Sequence, residues 1–363
     1  MTTNPLKQPF VDKVASARFP SRRRRIYAII GLFAVVIVMI ALATAIGSVK
    51  VSFLTTCRIL LSQLPLVNIT PAWAGSTETI ILDIRLPRVI MAGFAGAALA
   101  ISGATYQGLF RNPLADPYLI GVAQGAALGA VIGFLLPFGW SGGVLGIIPV
   151  LAFAGAITNV LIVYGLARVG RTLPVTTLIL AGVALGALWG SVVSYLTITS
   201  GDRVHSILFW LMGSFSLSTW SEVLVVIPYL IVGVVVILLY SRSLNIMQLD
   251  EEQAQQLGIN VERVKLILLV AATLITASAI CFVGAIGFVG IIIPHMVRLL
   301  WGPDHRFLLP LSLLTGTIFM ILADLLARTA LAPMEIPVGV ITAVCGVPFF
   351  LYLLRRRKGM VFF

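Results

Sequence analysis

The chain has 363 residues, of which 59% are hydrophobic and 10% are charged, and its mean hydropathy is +1.07. A soluble domain carries about 25% charged residues, so this composition excludes a soluble protein and predicts that lipid surrounds most of the chain. The net charge of +12 lies in short clusters between apolar runs, which is typical of cytoplasmic loops. No basic face alternates with aromatic residues, which excludes nucleic acid as a partner.

The N-terminal residues 1–25 form a basic tail that ends in the cluster Arg22 to Arg25. This cluster resembles the basic region of a signal peptide. However, the apolar run that begins at Ile26 extends over about 20 residues, which is longer than a signal-peptide core, and no small-residue cleavage site follows it. We therefore interpret the run as the first membrane helix.

Apolar segments of roughly 20 residues, the length that a helix needs to cross a bilayer, recur along the chain. The eighth of them is short and flanked by glycine. They predict an all-α integral membrane protein with about ten transmembrane helices in one domain, residues 26–355. The ten segments are 26–47, 87–108, 117–136, 144–167, 174–198, 221–240, 264–284, 286–300, 308–328 and 335–354.

The distribution of lysine and arginine predicts the orientation of these helices. With an even number of spans, both termini lie on the same side of the membrane. If that side is the cytoplasm, 19 of the 25 basic residues lie inside and six lie outside, in agreement with the positive-inside rule. We expect a multi-pass protein of the cytoplasmic (inner) membrane, with cytoplasmic tails at 1–25 and 356–363.

Two regions on the predicted outer side are longer than tight turns. Val51–Leu64 is amphipathic and is expected to lie on the membrane surface. Ile207–Phe215 is apolar but too short to span, which predicts a surface or re-entrant helix. The sequence has no stretch for a soluble domain of 50 residues and no phosphate-binding GxxxxGK[ST] motif. We therefore expect any ATP site on another chain.

The most specific motif spans residues 85–125 and reads RLPRVIMAGFAGAALAISGATYQGLFRNPLADPYLIGVAQG. Pro87 suits an early helix position, where its missing N–H costs little. The pair Asp116-Pro117 marks an inward turn, and Pro117 is expected to open the next helix. The flanking helices are rich in Gly, Ala and Ser, which allow helices to pack closely in lipid.

This motif resembles the FecCD family, the permeases of ABC importers for iron-siderophore, haem and cobalamin. The similarity lies in the order RLPR, a small-residue helix, QxLFxNPLA[DE]P and a glycine-rich helix, and it extends from residue 30 to 355. The resemblance implies the permease architecture of a type II ABC importer. Further matching segments follow in the same order: LILAGVALGAL (178–188), FWLMGSFS (209–216), the Gln-Leu-Gly loop (253–258), IGFVGIIIPHMVR (286–298), DHRFLLP (304–310) and EIPVGVITAVCGVPFF (335–350).

The predicted cytoplasmic loop 241–263 reads SRSLNIMQLDEEQAQQLGINVER. Residues Asp250 to Gln256 favour a short helix, and Gly258 is expected to end it. Taken alone, this segment is either a solvated surface loop or a helix that docks into a groove of a partner. The resemblance implies the second role, coupling to an ATPase through Asp250, Glu251, Glu252, Ala254, Leu257 and Gly258.

Three arginines, Arg85, Arg88 and Arg328, lie at the outer ends of predicted helices, where positive charge is scarce. Charges near the bilayer are costly and usually serve a purpose. Interfacial snorkelling is one interpretation, and an i,i+4 pair of Arg328 with Asp324 is another. The resemblance implies a third, binding to acidic residues of a substrate-binding protein. Glu335 is expected to stabilise the N-terminus of the last helix.

The sequence contains no recognisable catalytic constellation or metal site. His295 and His305 have no third ligand of a suitable type nearby, so structural roles are expected for both. Cys57, Cys281 and Cys345 are widely spaced and are expected to be buried hydrophobic residues rather than disulfide partners. Acidic residues are nearly absent from the predicted spans, which argues against a membrane enzyme and weakens the case for an ion-coupled carrier.

The sequence and the resemblance together predict the permease subunit of an ATP-binding-cassette importer that moves a metal chelate by alternating access. The resemblance implies a permease homodimer, ATPase subunits that hold ATP and Mg²⁺, and an extracytoplasmic substrate-binding protein, with no cofactor on this chain. Thr176 and Thr177 are expected near the inner gate. A ferric siderophore is the first choice of cargo, followed by haem, cobalamin and oxyanions. An ion-gradient-driven carrier is the alternative, and a membrane enzyme or scaffold is a third possibility.

Overall fold

The computed structural model describes most of the chain, and the predicted tails lie largely outside the described residues. Within the described part the chain is helical and has no β-strand. The described residues are 20–47, 49–64, 67, 69–137, 146–170 and 172–356. Their fourteen helices are α1 Arg22–Ala45, α2 Phe53–Ser62, α3 Gly75–Leu109, α4 Val122–Leu135, α5 Ile147–Ala167, α6 Val175–Ile198, α7 Val204–Leu211, α8 Trp220–Leu239, α9 Ser241–Ile246, α10 Glu251–Gln256, α11 Val261–Val283, α12 Val289–Trp301, α13 His305–Thr329 and α14 Val338–Arg356.

Each of the ten predicted spans coincides with a helix, which confirms the all-α fold. Among the described helices, seven are long and apolar enough to cross a membrane, namely α1, α3, α5, α6, α8, α11 and α13. The apolar parts of α4, α12 and α14 are shorter. The 14 residues of α4 rise by about 21 Å, less than the roughly 30 Å of a hydrocarbon core. The residues beside these three helices must complete their path across the membrane.

Helix α3 begins at Gly75, well before its predicted start at residue 87. Its residues Ile80–Arg85 form a wide π-helical turn, and regular α-helix continues from Leu86. Pro87 has no N–H to donate, and the π turn just before it changes the hydrogen-bond pattern so that the helix runs through this position. The sequence around Pro87 looks the same whether the proline opens a helix or follows a π turn, and for this reason the predicted boundary at residue 87 is wrong.

The turn after α3 also differs from the prediction. Pro117 opens a 3₁₀ turn, Pro117–Ile120, rather than the next helix. Gly121 follows with a φ of 82°, a left-handed conformation that residues with a Cβ rarely adopt. The Asn159 side chain of α5 donates to the Gly121 carbonyl oxygen at 2.6 Å. Helix α4 therefore starts only at Val122, five residues later than predicted.

Both longer segments of the predicted outer side contain a helix. Helix α2 covers most of Val51–Leu64 and buries Thr56 and Ile59 on one side, as expected of an amphipathic helix. The helix predicted within Ile207–Phe215 is present as α7, but it begins and ends earlier. Gly213, with a φ of 78°, turns the chain away from the helical direction soon after α7 ends.

Helix α3 lies at the centre of the bundle and contacts α11, α12 and α13. Every residue of α3 from Ala95 to Leu109 is buried. Gly96 faces Gly316 of α13, and Gly103 faces Gly290 of α12, so closely that a Cβ at either position would overlap the facing backbone. Because lipid gives helices no hydrophobic reason to associate, this close packing of small residues is a main source of the association.

Replacing Gly103 with alanine is expected to destabilise the bundle, because the added Cβ overlaps the Gly290 carbonyl and forces α3 away from α12. Overpacking of this kind costs about 1–3 kcal/mol. The matched control is Gly165→Ala in α5, where nothing lies within 4 Å of an added Cβ and alanine favours the helix. Thermal unfolding in detergent measures both variants. A Tm for Gly103→Ala equal to that of the unmodified chain would contradict this packing.

Candidate functional site

Two buried arginines from other helices hold the C-terminal end of α1. Arg85 of α3 donates to the carbonyl oxygens of Thr44 and Ala45, at 3.2 and 2.8 Å. Arg328 of α13 donates to the carbonyl oxygen of Ile46 at 2.9 Å. The last carbonyls of a helix lack intrahelical donors and carry partial negative charge, so guanidinium groups are suitable partners for them.

Arg88 lies beside these arginines and binds two carboxylates. Its guanidinium is 2.8 Å from Asp324 and 2.8 Å from Glu335. Burial alone would raise the pKa of Glu335, but hydrogen bonds from Arg88 and Ser216 outweigh burial and lower it. Asp324 is also 3.4 Å from Arg328, the i,i+4 pair considered from the sequence. We call this cluster the arginine rim: Arg85, Arg88, Asp324, Arg328 and Glu335.

The arginine rim unites the three arginines of the docking prediction, and it also gives each of them a partner within the chain. Arg85 is only 6% exposed and Arg328 only 9%, so neither reaches out to solvent as snorkelling requires. A carboxylate of a docked protein would have to share Arg88 with Asp324 and Glu335. The docking role of the three arginines stays a prediction.

Two short helices, α9 and α10, form the loop in which ATPase coupling is predicted. After α10, Gly258 has a φ of 82°, the left-handed conformation expected where glycine ends a helix. Leu257 is 62% exposed, whereas Ala254 is fully buried against the chain. Asp250 pairs with Arg111 at 3.2 Å. Helix α10 therefore presents one face outward and secures the other to the bundle.

Lys265, near the start of α11, connects α10 to the segment before α6. Its ammonium group lies 2.9 Å from Glu251 of α10 and 3.1 Å from Glu262. It also donates to the Leu173 carbonyl oxygen at 3.4 Å, and the Leu173 N–H donates to Glu262 at 2.9 Å. The neighbouring Glu252 is exposed. We call Leu173, Glu251, Glu262 and Lys265 the lysine network.

The residues predicted at the inner gate, Thr176 and Thr177, lie in the first turn of α6. They follow Leu173 of the lysine network within a few residues of chain. Contacts within the chain thus connect the predicted gate to the predicted ATPase contact. The sequence holds one signal for Lys265: it is a single charge inside the apolar run VKLILLVAA.

A cavity of about 500 Å³ opens where α4 and α6 meet the start of α12. Asp116, in the turn after α3, is 7% exposed, and its Oδ1 accepts the N–H of Tyr118 at 2.8 Å. Gln124 of α4 is the other polar side chain with a carbonyl or carboxyl oxygen in the lining. We call this space the Asp116 cavity; its further lining is Tyr118, Leu119, Gly182, Val183, Gly186, Ala187, Gly287, Phe288 and Ile291.

The two histidines considered for metal binding make contacts within the bundle. The Nδ1 of His305 lies 2.9 Å from the Asn245 side-chain oxygen. The ring of His295 lies edge-on to Phe349, with 6.4 Å between ring centroids. Across the described part of the chain, no group of three His, Cys, Asp or Glu side chains could hold a metal ion. Cys281 is buried as expected, but Cys57 is half-buried and Cys345 is exposed, so the expectation of buried cysteines holds for Cys281 alone.

Comparison with known proteins connects these features to a family. Residues 35–356 match the FecCD transport family. The chain belongs to the FecCD transport family. The cobalamin import system permease protein BtuC of Halobacterium salinarum is 49% identical over 284 residues, 78% of this chain and 75% of that protein. The hemin transport system permease protein HmuU of Yersinia pestis is 38% identical, and the match covers 91% of this chain and 96% of HmuU.

Other relatives of this FecCD permease extend the comparison to solved structures. The Fe(3+) dicitrate transport system permease protein FecD of Escherichia coli is 38% identical, with 77% of this chain and 86% of FecD covered. A solved structure described as a metal-chelate type ABC transporter in an inward-facing conformation aligns with a TM-score of 0.77 at 31% identity, and covers 90% of this chain and 98% of that one. These findings confirm the predicted family and the predicted permease fold.

Removing Arg88 from this FecCD permease is expected to destabilise the arginine rim. Asp324 is only 1% exposed, and without Arg88 its one remaining cation among the described residues is Arg328. Breaking a buried pair by removing one partner costs about 3–5 kcal/mol. Thermal unfolding of Arg88→Met in detergent measures the loss, and Arg58→Met, at an exposed arginine of α2, is the matched control. Unchanged stability with weaker docking of a binding protein would assign Arg88 to docking alone.

Proposed function

We propose that this chain is the membrane-spanning subunit of an ATP-binding-cassette importer for a metal chelate, and that it has no catalytic site of its own. The observation that carries the proposal is the lysine network, which joins the exposed helix α10 to the start of α6. A permease needs such a connection in order to pass the movement of an external motor to its pathway. The relatives named as cobalamin, hemin and ferric dicitrate permeases support the same function.

The proposed motor is a pair of ATPase subunits that hold ATP and Mg²⁺ on separate chains. Helix α10 and the residue after it offer these subunits an exposed face that includes Glu252 and Leu257. A short exposed helix with acidic and apolar groups suits a groove on a partner. Asp250 pairs with Arg111, and Glu251 pairs with Lys265. These ion pairs would hold α10 against the bundle while an ATPase subunit binds its outer face.

Movement of α10 would reach the pathway through Lys265. A shift of Glu251 pulls on the ammonium group, which is also bonded to the Leu173 carbonyl at 3.4 Å. Leu173 leads directly into α6, where Thr176 and Thr177 are the proposed gate residues. Tilting the start of α6 would open and close the inner end of the pathway. Alternating access results if the outer end closes when the inner end opens.

The proposed pathway runs between this protomer and a second copy. Helix α6 exposes Leu180, Tyr195 and Ile198, and the Asp116 cavity opens beside it. Lipid could cover the apolar side chains, but a carboxyl group and an amide that face hydrocarbon are costly. A second protomer on this face would enclose the cavity. A homodimer also supplies two copies of α10 for two ATPase subunits.

The arginine rim is the proposed docking site for an extracytoplasmic substrate-binding protein. Arg88 and Glu335 form its accessible pair, with side-chain exposures of 11% and 33%. Acidic residues of the binding protein would compete with Glu335 for Arg88, and charged pairs of this kind steer an approaching protein and set its register. In this arrangement the rim faces outward from the cytoplasmic membrane, and the tails 1–25 and 356–363 lie in the cytoplasm.

Replacing Leu257 with aspartate is expected to release the ATPase subunits, because a charged residue cannot be buried in an apolar groove without cost. ATPase recovered with the tagged permease, and ATP-driven chelate uptake into proteoliposomes, should both fall by roughly tenfold or more, the effect of losing one buried apolar contact. The matched control is Leu331→Asp, since Leu331 is exposed to a similar extent at the other end of the bundle. It should retain the ATPase.

The same assay separates the importer from an ion-gradient-driven carrier. Uptake by the importer should require ATP and persist when ionophores collapse the ion gradients across the vesicle membrane. Uptake that stops with the gradients, continues without ATP and is unaffected by Leu257→Asp would contradict the proposed function. It would assign helix α10 to the solvated surface of a carrier instead.

Glu251→Gln is expected to weaken the link between α10 and α6 while it leaves the pair of Lys265 with Glu262 intact. Loss of about 1 kcal/mol at this link should lower the chelate transported per ATP hydrolysed by roughly fivefold. The neighbouring variant Glu252→Gln is the control, because it changes the ATPase-facing side and should alter ATPase affinity but not the transport ratio. An unchanged ratio in Glu251→Gln would remove the lysine network from the coupling path.

A further inference from the structure

A groove of about 570 Å³ opens on the surface of the bundle between α8 and α11. It shares no residue with the Asp116 cavity, and Tyr229 is the one lining side chain that carries a polar atom. We call this space the α8–α11 groove; its lining is Pro228, Tyr229, Val232, Gly233 and Val236 of α8, and Leu266, Ile267, Val270, Ala271 and Leu274 of α11.

The groove is concave because small residues form its floor and larger ones its edges. Gly233 is buried, and an added Cβ there would overlap the Ile275 side chain, so the backbone of α8 lies directly against α11 at this point. On either side of the floor, Val232 is 61% exposed and Val270 is 44% exposed. A flexible hydrocarbon chain can therefore contact the floor and both edges at once.

The length and position of the groove match the hydrocarbon of one membrane leaflet. Residues 228–236 and 266–274 each rise by about 12 Å along their helices, and half of a hydrocarbon core is roughly 15 Å thick. Val236 lies three residues before the end of α8, and Leu266 lies five residues after the start of α11. The groove thus belongs to the leaflet at the end of the bundle that carries α9 and α10, which is the cytoplasmic leaflet in the proposed orientation.

An arginine without an anionic partner stands at this end of the groove. Arg263, in the first turn of α11, precedes Leu266 by three residues and Ile267 by four, so it lies on the helix face that lines the groove. Helical side chains lean towards the N-terminus, which directs Arg263 away from the hydrocarbon. It is exposed and forms no ion pair within the described part of the chain. The adjacent Glu262 pairs with Lys265 instead.

We propose that the α8–α11 groove binds an anionic phospholipid, with one acyl chain in the groove and the phosphate-bearing head group at Arg263. Hydrocarbon contacts alone would not select among lipids, because every phospholipid brings the same tails. Basic side chains beside a groove between membrane helices add attraction for anionic head groups, and the cytoplasmic leaflet supplies such groups at this depth. Arg242, three residues after the end of α8, is also exposed and adds positive charge nearby.

This site goes beyond the proposed function, because the lipid can bind whatever the chain transports. A protein that covered the groove would need an apolar helix and an acidic group opposite Arg263, whereas the surrounding membrane already contains both parts of the proposed ligand. We therefore commit to lipid as the occupant, and a second copy of the chain becomes an outcome of the test.

The experiment uses the full-length chain in phosphatidylcholine nanodiscs. Each sample contains a trace of either phosphatidylglycerol or phosphatidylcholine with a photoactivatable diazirine in the acyl chain. After illumination, mass spectrometry of the peptides locates the label. Labelling of residues 228–236 and 266–274 is divided by labelling of α1, which is only 11% buried in its most apolar stretch and reports bulk lipid. In the groove this ratio should be roughly fivefold higher for phosphatidylglycerol than for phosphatidylcholine, the effect of one arginine beside a head group.

Two variants separate the head-group contact from the chain contact. Arg263→Gln removes the charge and should bring the two probes to equal labelling of the groove without abolishing it. Val270→Trp fills the groove and should reduce its labelling by both probes. The matched controls are Arg355→Gln, at an exposed arginine in α14, and Val235→Trp, at a valine of α8 that is 49% exposed and outside the groove. Both controls should label as the unmodified chain does.

Three results would overturn the lipid site: label spread evenly over the exposed helices, equal labelling by the two probes in the unmodified chain, or an undiminished preference in Arg263→Gln. Covalent capture of a second copy through the groove in place of lipid would assign this surface to a protein interface. Thermal unfolding checks that each variant is folded. Since the measurement needs neither ATP nor cargo, its failure would leave the proposed function intact, and failure of ATP-driven uptake would leave the lipid site intact.

Discussion

Lipid can neither hydrogen-bond a backbone carbonyl nor solvate a charge, and the arrangement of this chain follows from that constraint. The buried cations stand where acceptors are concentrated: Arg85 and Arg328 at the last carbonyls of α1, and Lys265 between two carboxylates. Between these two clusters the helices meet through glycine backbones, as Gly103 does with Gly290. The ion pairs of the arginine rim and of the lysine network thus form two separate clusters, with closely packed helices between them.

The helices differ in how much of their surface is buried within the chain, and this difference suits transport. In α3, 89% of the most apolar stretch is buried inside the chain, whereas in α6 the share is 11%. Helix α3 is therefore the buried core of the chain, whereas α6 leaves most of its surface free for a second protomer or for lipid. In the lysine network, Lys265 donates a hydrogen bond to the Leu173 carbonyl, just before the first turn of α6. A buried core helix, a helix with a largely exposed surface and a charged connection between α10 and the start of α6 are the elements on which the proposed coupling depends.

Local sequence signals predicted the parts of the fold that depend on neighbouring residues. The apolar runs predicted the helices, and Gly258 predicted the end of α10. Both features depend on the hydrophobicity and backbone conformation of only a few neighbouring residues. The partners of Lys265 and Arg88 could not be predicted in this way. Leu173 is 92 residues from Lys265, and Glu335 is 247 residues from Arg88, so only the folded chain brings them together. The start of α3 was missed because a π turn leaves no distinct pattern before Pro87.

The unbroken length of α3 has a consequence for the water side of the membrane. Its 35 residues extend over about 52 Å, while the hydrocarbon layer is roughly 30 Å thick. The helix is therefore longer than the layer is thick, and its charged residues Glu78, Asp83, Arg85 and Arg88 all lie towards Gly75. The excess therefore emerges at the end that begins with Gly75. It raises the part of the chain around it above the hydrocarbon layer on that side.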